Sequence, residues 1–215
     1  MLDNIKATIF DLDGTLLDSM WIWEKIDIDY LNSKGHNMPE NLKDEICHLS
    51  FQQTAEYFKK RFNINDSIET ILNTWHNMAL NHYSNDVTLK PGALDLLNAL
   101  KERGIKIGLA TSNSIDLLTA GLNCVGIYEY FDEITTTDEA KRGKNFPDVY
   151  LLSAKKLGVD PNQCIVFEDI INAVKGAKLA NMKVVAVYDK SSEYQMDTLI
   201  ENSDKYIHDF KEILV

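Results

Sequence analysis

The chemistry in this sequence sits in short polar clusters, several of them directly after runs of apolar residues. Asp11-Leu12-Asp13-Gly14-Thr15 follows the run 7–10. Asp11 and Asp13 are two positions apart, so on an extended chain their carboxylates point the same way, and Gly14 permits a sharp turn behind them. A second acidic pair, Glu168-Asp169, follows the run 164–167. Taken alone, this pair reads as well as an acidic helix start, where anions are favoured. Brought together, the four carboxylates repel: two of them about 4 Å apart cost about 4 kcal/mol at an effective dielectric of about 20. Such a cluster takes up protons or holds a cation. Oxygen donors with no His or Cys beside them in sequence suit Mg²⁺.

Two further clusters are suited to anions. Thr111-Ser112-Asn113 ends the run 105–110 with hydroxyls and backbone N–H groups at the start of a helical stretch, which is a cradle for an anion as well as an ordinary helix cap. Lys144, in Gly143-Lys144-Asn145-Phe146-Pro147-Asp148, precedes a helix that Pro147 opens. A lone lysine is usually solvated. The order of the four clusters along the chain is what gives each of them meaning.

These clusters need a scaffold that gathers strand ends. The runs 7–10, 105–110, 164–167 and 184–187 are short, aliphatic and bounded by polar residues, the pattern of strands buried on both faces. Helical stretches lie between them at 93–103, 115–125, 148–157 and 171–180, with Gly104, Gly126 and Gly158 where helix C-caps belong. Strands alternating with helices imply right-handed βαβ crossovers and a parallel sheet, whose ligands bind beyond the carboxyl ends of the strands. From 17 to 90 the pattern changes. Helical stretches at 20–33, 40–48, 52–62 and 67–83 carry no convincing strand, and Pro91-Gly92 marks the return to the sheet. The fold class expected is α/β: a Rossmann-like parallel-sheet core, 1–16 and 91–215, with a small all-helical cap, 17–90, inserted after the first strand.

Composition narrows the partners. The chain has 215 residues, 45% of them hydrophobic, and a net charge of −11. It is long enough for a real core. So acidic a chain is repelled by nucleic acid and by anionic lipid, so neither is expected as a partner. Cys47, Cys124 and Cys164 form no CxxC pair, which suggests a reduced, cytoplasmic setting. The N-terminal residues show no signal-peptide pattern, and no apolar run approaches the roughly 20 residues of a membrane span. Nothing demands more than a monomer. His36, His48, His76, His82 and His208 show no metal-ligand spacing and read as surface or packing residues, His48 being the marginal exception.

Taken in order, these motifs resemble the haloacid dehalogenase (HAD) superfamily of phosphotransferases. Asp-x-Asp-Gly-Thr, the Thr-Ser-Asn at a second strand end, the Lys with a downstream Pro-Asp, and the Glu-Asp before the Gly-containing helix match its four motifs. The insert is similar to the helical cap of the subgroup that includes β-phosphoglucomutases and phosphoglycolate-type phosphatases. The resemblance implies Asp11 as the nucleophile that becomes an aspartyl-phosphate, and Asp13 as general acid and then base. It implies Mg²⁺ on the Asp11 carboxylate, the Asp13 carbonyl, Asp169 and Glu168, the last directly or through water. Thr111, Ser112 and Asn113 would hold phosphate oxygens, and Lys144 would neutralise charge on the phosphate and on Asp11.

The expected substrate is a small phosphorylated metabolite, a sugar phosphate or similar, hydrolysed as a monoester. A phosphosugar mutase is the alternative. Mutases of the subgroup resemble this chain but carry a cap His and a cap Arg, where this sequence has Trp23 and His48-Leu49-Ser50-Phe51-Gln52-Gln53. Dehalogenases do not need the second acid that Asp13 supplies. A receiver-type module shares acids, a Thr/Ser, a Lys and Mg²⁺, but has no place for the insert. Met20, Trp21 and Trp23 stand at the start of the cap, where an aromatic could face the substrate or pack inside.

Overall fold

Strands come from the runs that are apolar on both faces, and helices cover the two sides of the sheet they form. The computed structural model describes residues 1–46 and 49–214, with Lys43 and Asp44 described by backbone alone. In chain order the elements are β1 (Ala7–Phe10), β2 (Leu17–Asp18), α1 (Trp21–Ser33), α2 (Leu42–Ile46), α3 (Phe51–Arg61), α4 (Ile68–Asn85), β3 (Thr88–Leu89), α5 (Ala93–Glu102), β4 (Lys106–Thr111), α6 (Ile115–Cys124), β5 (Glu133–Thr136), α7 (Thr137–Ala140), α8 (Asp148–Leu157), β6 (Cys164–Glu168), α9 (Ile171–Leu179), β7 (Lys183–Val187), α10 (Met196–Asn202) and β8 (Lys205–Ile207). Six strands form one sheet in the order β5-β4-β1-β6-β7-β8, and every pairing in it is parallel.

Alternation of side chains along β1 divides the interior. Phe10 faces one side, stacked on Phe167 with ring centroids 4.6 Å apart, beneath α5 and α6. Ala7 and Ile9 face the other side, beneath α8 and α9. Gly104, Gly126 and Gly158 all adopt positive φ at helix ends, as their placement in the sequence suggests. The fold is a Rossmann-like α/β core with a helical insertion after the first strand.

Four strands differ from the sequence pattern. β5 and β8, at the two edges of the sheet, are short and carry Thr, Glu, Lys and Tyr, so they lack the apolar run that marks the central strands. The segment 17–90 also contains strand: Leu17 and Asp18 pair antiparallel with Leu89 and Thr88, closing a two-residue ribbon at the base of the helices. The four helices above it share one hydrophobic cluster with the sheet, from Phe10 and Leu122 through Leu17 and Tyr83 to Phe58 and Trp75. No described helix is long and apolar enough to cross a membrane.

Candidate active site

The carboxyl edge of the sheet delivers the motif residues. β1 is central, so Asp11 leaves it between β4 and β6, and its N–H extends the β6 pairing by donating to the Phe167 carbonyl at 3.0 Å. Thr111 and Glu168 are the last residues of β4 and β6. Lys144 lies in the loop before α8. Asp11, Asp13, Thr111, Ser112, Asn113, Lys144, Glu168 and Asp169 all line one cavity of about 400 Å³. Met20, Trp23, Phe51 and Ile170 complete its wall.

Close backbone approaches hold this arrangement. Gly14 has φ +82°, and a Cβ there would run into the Asp169 carboxylate. Thr15 Oγ1 donates to Asp169 Oδ1 at 3.3 Å. On the opposite wall, a Cβ on Gly176 of α9 would overlap the Lys144 carbonyl oxygen and stand 2.9 Å from that of Phe146. Gly176 thus lets the lysine loop lie directly against α9. Lys144 Nζ can then donate to Asp11 Oδ1 and, at 2.6 Å, to Glu168 Oε1. Tyr150 of α8 donates to the same Glu168 oxygen at 2.9 Å.

The electrostatics are those of too many buried anions. Asp11, Glu168, Asp169 and Lys144 are all buried. Burial pushes the Glu168 carboxyl up to about 7, with the Asp11 charge adding and Lys144 opposing. Burial, then the charges of Asp11 and Glu168, hold Asp169 well above the usual carboxylate range. Burial alone would lower Lys144, but Asp11 and Glu168 outweigh it and keep the ammonium charged. Asp13 is raised by burial and by Asp11 against three hydrogen bonds that favour its anion. Those bonds come from Ser19 Oγ at 2.7 Å and the Tyr83 hydroxyl at 2.5 Å to Oδ1, and from Asn113 Nδ2 at 2.8 Å to Oδ2.

One lysine does not neutralise this set. Carboxylate oxygens of Asp11, Glu168 and Asp169 lie within 4.8 Å of one another. A compact, all-oxygen, buried and under-neutralised donor set fits a divalent cation.

Several participants carry no motif signal. Ser19 follows the first motif closely enough to have been suspected. Tyr83 and Tyr150 are ordinary helix residues in sequence, and only the packing of α4 and α8 brings their hydroxyls to Asp13 and Glu168. The two early tryptophans separate. Trp23 lines the cavity with Phe51, their rings edge to face at 6.1 Å. Trp21 lines a different cavity with Asp18 and Lys190, donates to the Asp18 carbonyl and meets His82 edge-on. His48 and Cys47 lie outside the described residues.

Comparison with known proteins agrees with this geometry. The sequence model of the haloacid dehalogenase-like hydrolases matches residues 8–187. The chain belongs to this family. Phosphatase YhcW of Bacillus subtilis (strain 168), a provisional name, is 31% identical over 191 residues, which is 86% of this chain and 84% of that one. Hexitol phosphatase B of Escherichia coli (strain K12) is 29% identical over 186 residues, again 86% and 84%. A crystal structure from Thermotoga maritima, provisionally assigned as a β-phosphoglucomutase, superposes with a TM-score of 0.85 at 26% identity, covering 98% of this chain and 97% of that one. The protein is accordingly a HAD-type phosphohydrolase, and its buried acidic triad is where a haloacid dehalogenase-like hydrolase can hold its divalent metal.

Proposed function

We propose that this protein is a Mg²⁺-dependent phosphatase of small phosphomonoesters, working through an aspartyl-phosphate on Asp11. One observation carries the reading: two aspartates at the end of the central strand share a single cavity with Lys144 and two further acids, beneath an apolar wall. A phosphate monoester is an anion attacked here by an anion, so fixed cations must offset the repulsion. Lys144 is placed to do this, bonded to the attacking carboxylate itself.

The residues divide the chemistry between them. An Asp11 oxygen forms a bond to phosphorus as the bond to the leaving oxygen breaks, and Asp13 passes its proton to that oxygen. A water oxygen then bonds to phosphorus, its proton goes to Asp13, and the Asp11–phosphorus bond breaks. Thr111 and Ser112 line the cavity and would take the phosphate oxygens. Asn113 stands beside them, its N–H donating to Thr111 Oγ1 at 3.0 Å and its side-chain amide engaged by Asp13. Asp11, Glu168 and Asp169, with the Asp13 carbonyl, would hold Mg²⁺, which supplies charge neutralisation for attack and departure.

The division into a core of 1–16 and 91–215 and a cap of 17–90 belongs to the same proposal. Its support is the β2–β3 ribbon, where both passages between helices and sheet run side by side. Met20, Trp23 and Phe51, all from 17–90, line the cavity and would meet the leaving group. That apolar wall suits the carbon face of a sugar or polyol phosphate better than a second phosphate, which favours hydrolysis over mutase chemistry.

The test is phosphate release from p-nitrophenyl phosphate and from hexitol, hexose and carboxylate phosphates. Each is assayed with Mg²⁺, with EDTA and with Asp11→Asn. Release that needs Mg²⁺ and is abolished by Asp11→Asn is the expected result. Release that survives Asp11→Asn refutes the nucleophile, and isomerised sugar phosphate in place of free phosphate refutes the phosphatase.

A further inference from the structure

Asp13 is gripped from three directions, and one grip comes from α4. Tyr83, near the end of α4, is fully buried and donates its hydroxyl to Asp13 Oδ1 at 2.5 Å. Ser19, beside β2, donates to the same oxygen at 2.7 Å. Asn113, after β4, donates its side-chain amide to Oδ2 at 2.8 Å and to the Tyr83 hydroxyl at 3.1 Å. Two donors fix Oδ1. Oδ2 carries one donor and keeps a lone pair for proton exchange.

The tyrosine ring is itself wedged in place. α4 lies along α6, and their close approach is at Gly121, where a Cβ would stand 2.9 Å from Leu17 Cδ1 and 3.0 Å from Tyr83 Cδ1. Gly121 therefore sets how deeply Tyr83 seats. Through its hydroxyl, that depth sets where the Asp13 carboxylate points.

We propose that Tyr83 is a positioning residue: its hydroxyl aligns Asp13 for proton transfer, so the seating of α4 on α6 tunes the acid–base group of the reaction. This rests on the aspartyl-phosphate reading above. Both half-reactions use Asp13, but not equally for every ester. An alkyl oxygen must receive the Asp13 proton as its bond to phosphorus breaks. A nitrophenolate oxygen leaves without one. Water attacking the aspartyl-phosphate always gives its proton to Asp13.

Tyr83→Phe keeps the ring and removes the hydroxyl. Single-turnover rates are measured by rapid quench on glycerol 2-phosphate and on p-nitrophenyl phosphate. With the carboxylate misaligned by a fraction of an ångström to an ångström, the glycerol 2-phosphate rate should fall up to about 100-fold. Nitrophenolate should still be released in a stoichiometric burst, slowed by less than about threefold because the first step no longer needs the acid, and followed by slow turnover. Equal losses on the two esters would make Tyr83 a structural residue and overturn the proposal, as would no loss on either. Gly121→Ala, which presses on the ring and removes no hydrogen-bonding group, should give the same split and decides the matter if Tyr83→Phe does not fold. Asp11→Asn, run beside them, keeps the two readings apart. If it retains turnover, the aspartyl-phosphate reading fails. If it is inactive while Tyr83→Phe shows equal losses, only this inference fails.

Discussion

Replacing Gly176 by Ala should disable the enzyme although Gly176 touches no substrate. The added Cβ overlaps the Lys144 carbonyl oxygen and comes within 2.9 Å of the Phe146 carbonyl oxygen, and both are backbone atoms that cannot swing aside. Relief requires the loop to retreat from α9 by about 1 Å, because the Cβ would stand 1.9 Å from the Lys144 oxygen and real Cβ contacts essentially never fall below 3.0 Å. Lys144 Nζ now lies 2.6 Å from Glu168 Oε1. A 1 Å retreat puts that pair at about 3.6 Å, beyond a hydrogen bond. The bond to Asp11 loosens with it.

A misplacement of that size at a charge-stabilising group costs about 100-fold in rate, or roughly 2.7 kcal/mol. The buried acids lose their cation at the same time, so the protein should also melt at lower temperature. The assay is kcat/KM for p-nitrophenyl phosphate under saturating Mg²⁺, with a thermal melt of each variant. Gly143→Ala is the control, because its Cβ would meet only a side-chain oxygen of Asn145, at 3.1 Å. If Gly176→Ala folds and keeps activity within about threefold of Gly143→Ala, the role given to the loop–helix contact is wrong.

Two further outcomes follow from other contacts. Trp23→Ala or Phe51→Ala should raise KM for a hexitol phosphate about tenfold, some 1.4 kcal/mol of lost contact, and reorder a panel of esters. Trp21→Ala should leave the order unchanged, and a Trp23→Ala protein that is merely less stable would sink the specificity role. Asp189 pairs with Lys90 at 2.9 Å and accepts from Ser191, and these partners hold its carboxyl below the usual range although burial opposes them. Its stabilisation is therefore complete above the unfolded value of about 3.9 and is lost as pH falls through the lower folded value. Asp189→Asn should cost roughly 3 kcal/mol at neutral pH, and urea unfolding should show the gap closing in strong acid; a gap that persists at pH 2 contradicts the pairing.

The central strands and the motif residues were legible because each signal is local. A strand buried on both faces writes an apolar run, and an acid placed at its carboxyl end sits directly against that run, as Asp11 follows Ala7–Phe10 and Glu168 ends Cys164–Glu168. β5 and β8 escaped because an edge strand with one partner needs no such run. β2 and β3 escaped because two-residue strands leave no periodicity to detect. Tyr83 and Tyr150 were illegible for another reason. Their hydroxyls reach Asp13 and Glu168 across 70 and 18 residues of chain, and a buried helix tyrosine looks the same whether its ring or its hydroxyl matters. Gly176 could be seen as a glycine in a helix, but the loop it makes room for could not.

The two-residue ribbon has a consequence for how such proteins diversify. Leu17 faces Leu89 and Asp18 faces Thr88, so the chain leaves the sheet and returns to it at neighbouring points. Everything from Trp21 to Asn85 is spliced in at one seam, and neither β1 nor α5 would need rerouting if a different segment were joined there. On the proposed reading, an exchange at that seam would replace Met20, Trp23 and Phe51 in the cavity wall while Asp11, Thr111, Lys144, Glu168 and Asp169 keep their places on the sheet. The replacement must meet two conditions set by the host: it must cover the face of α6 around Gly121, and it must offer Asp13 a donor where Tyr83 now stands.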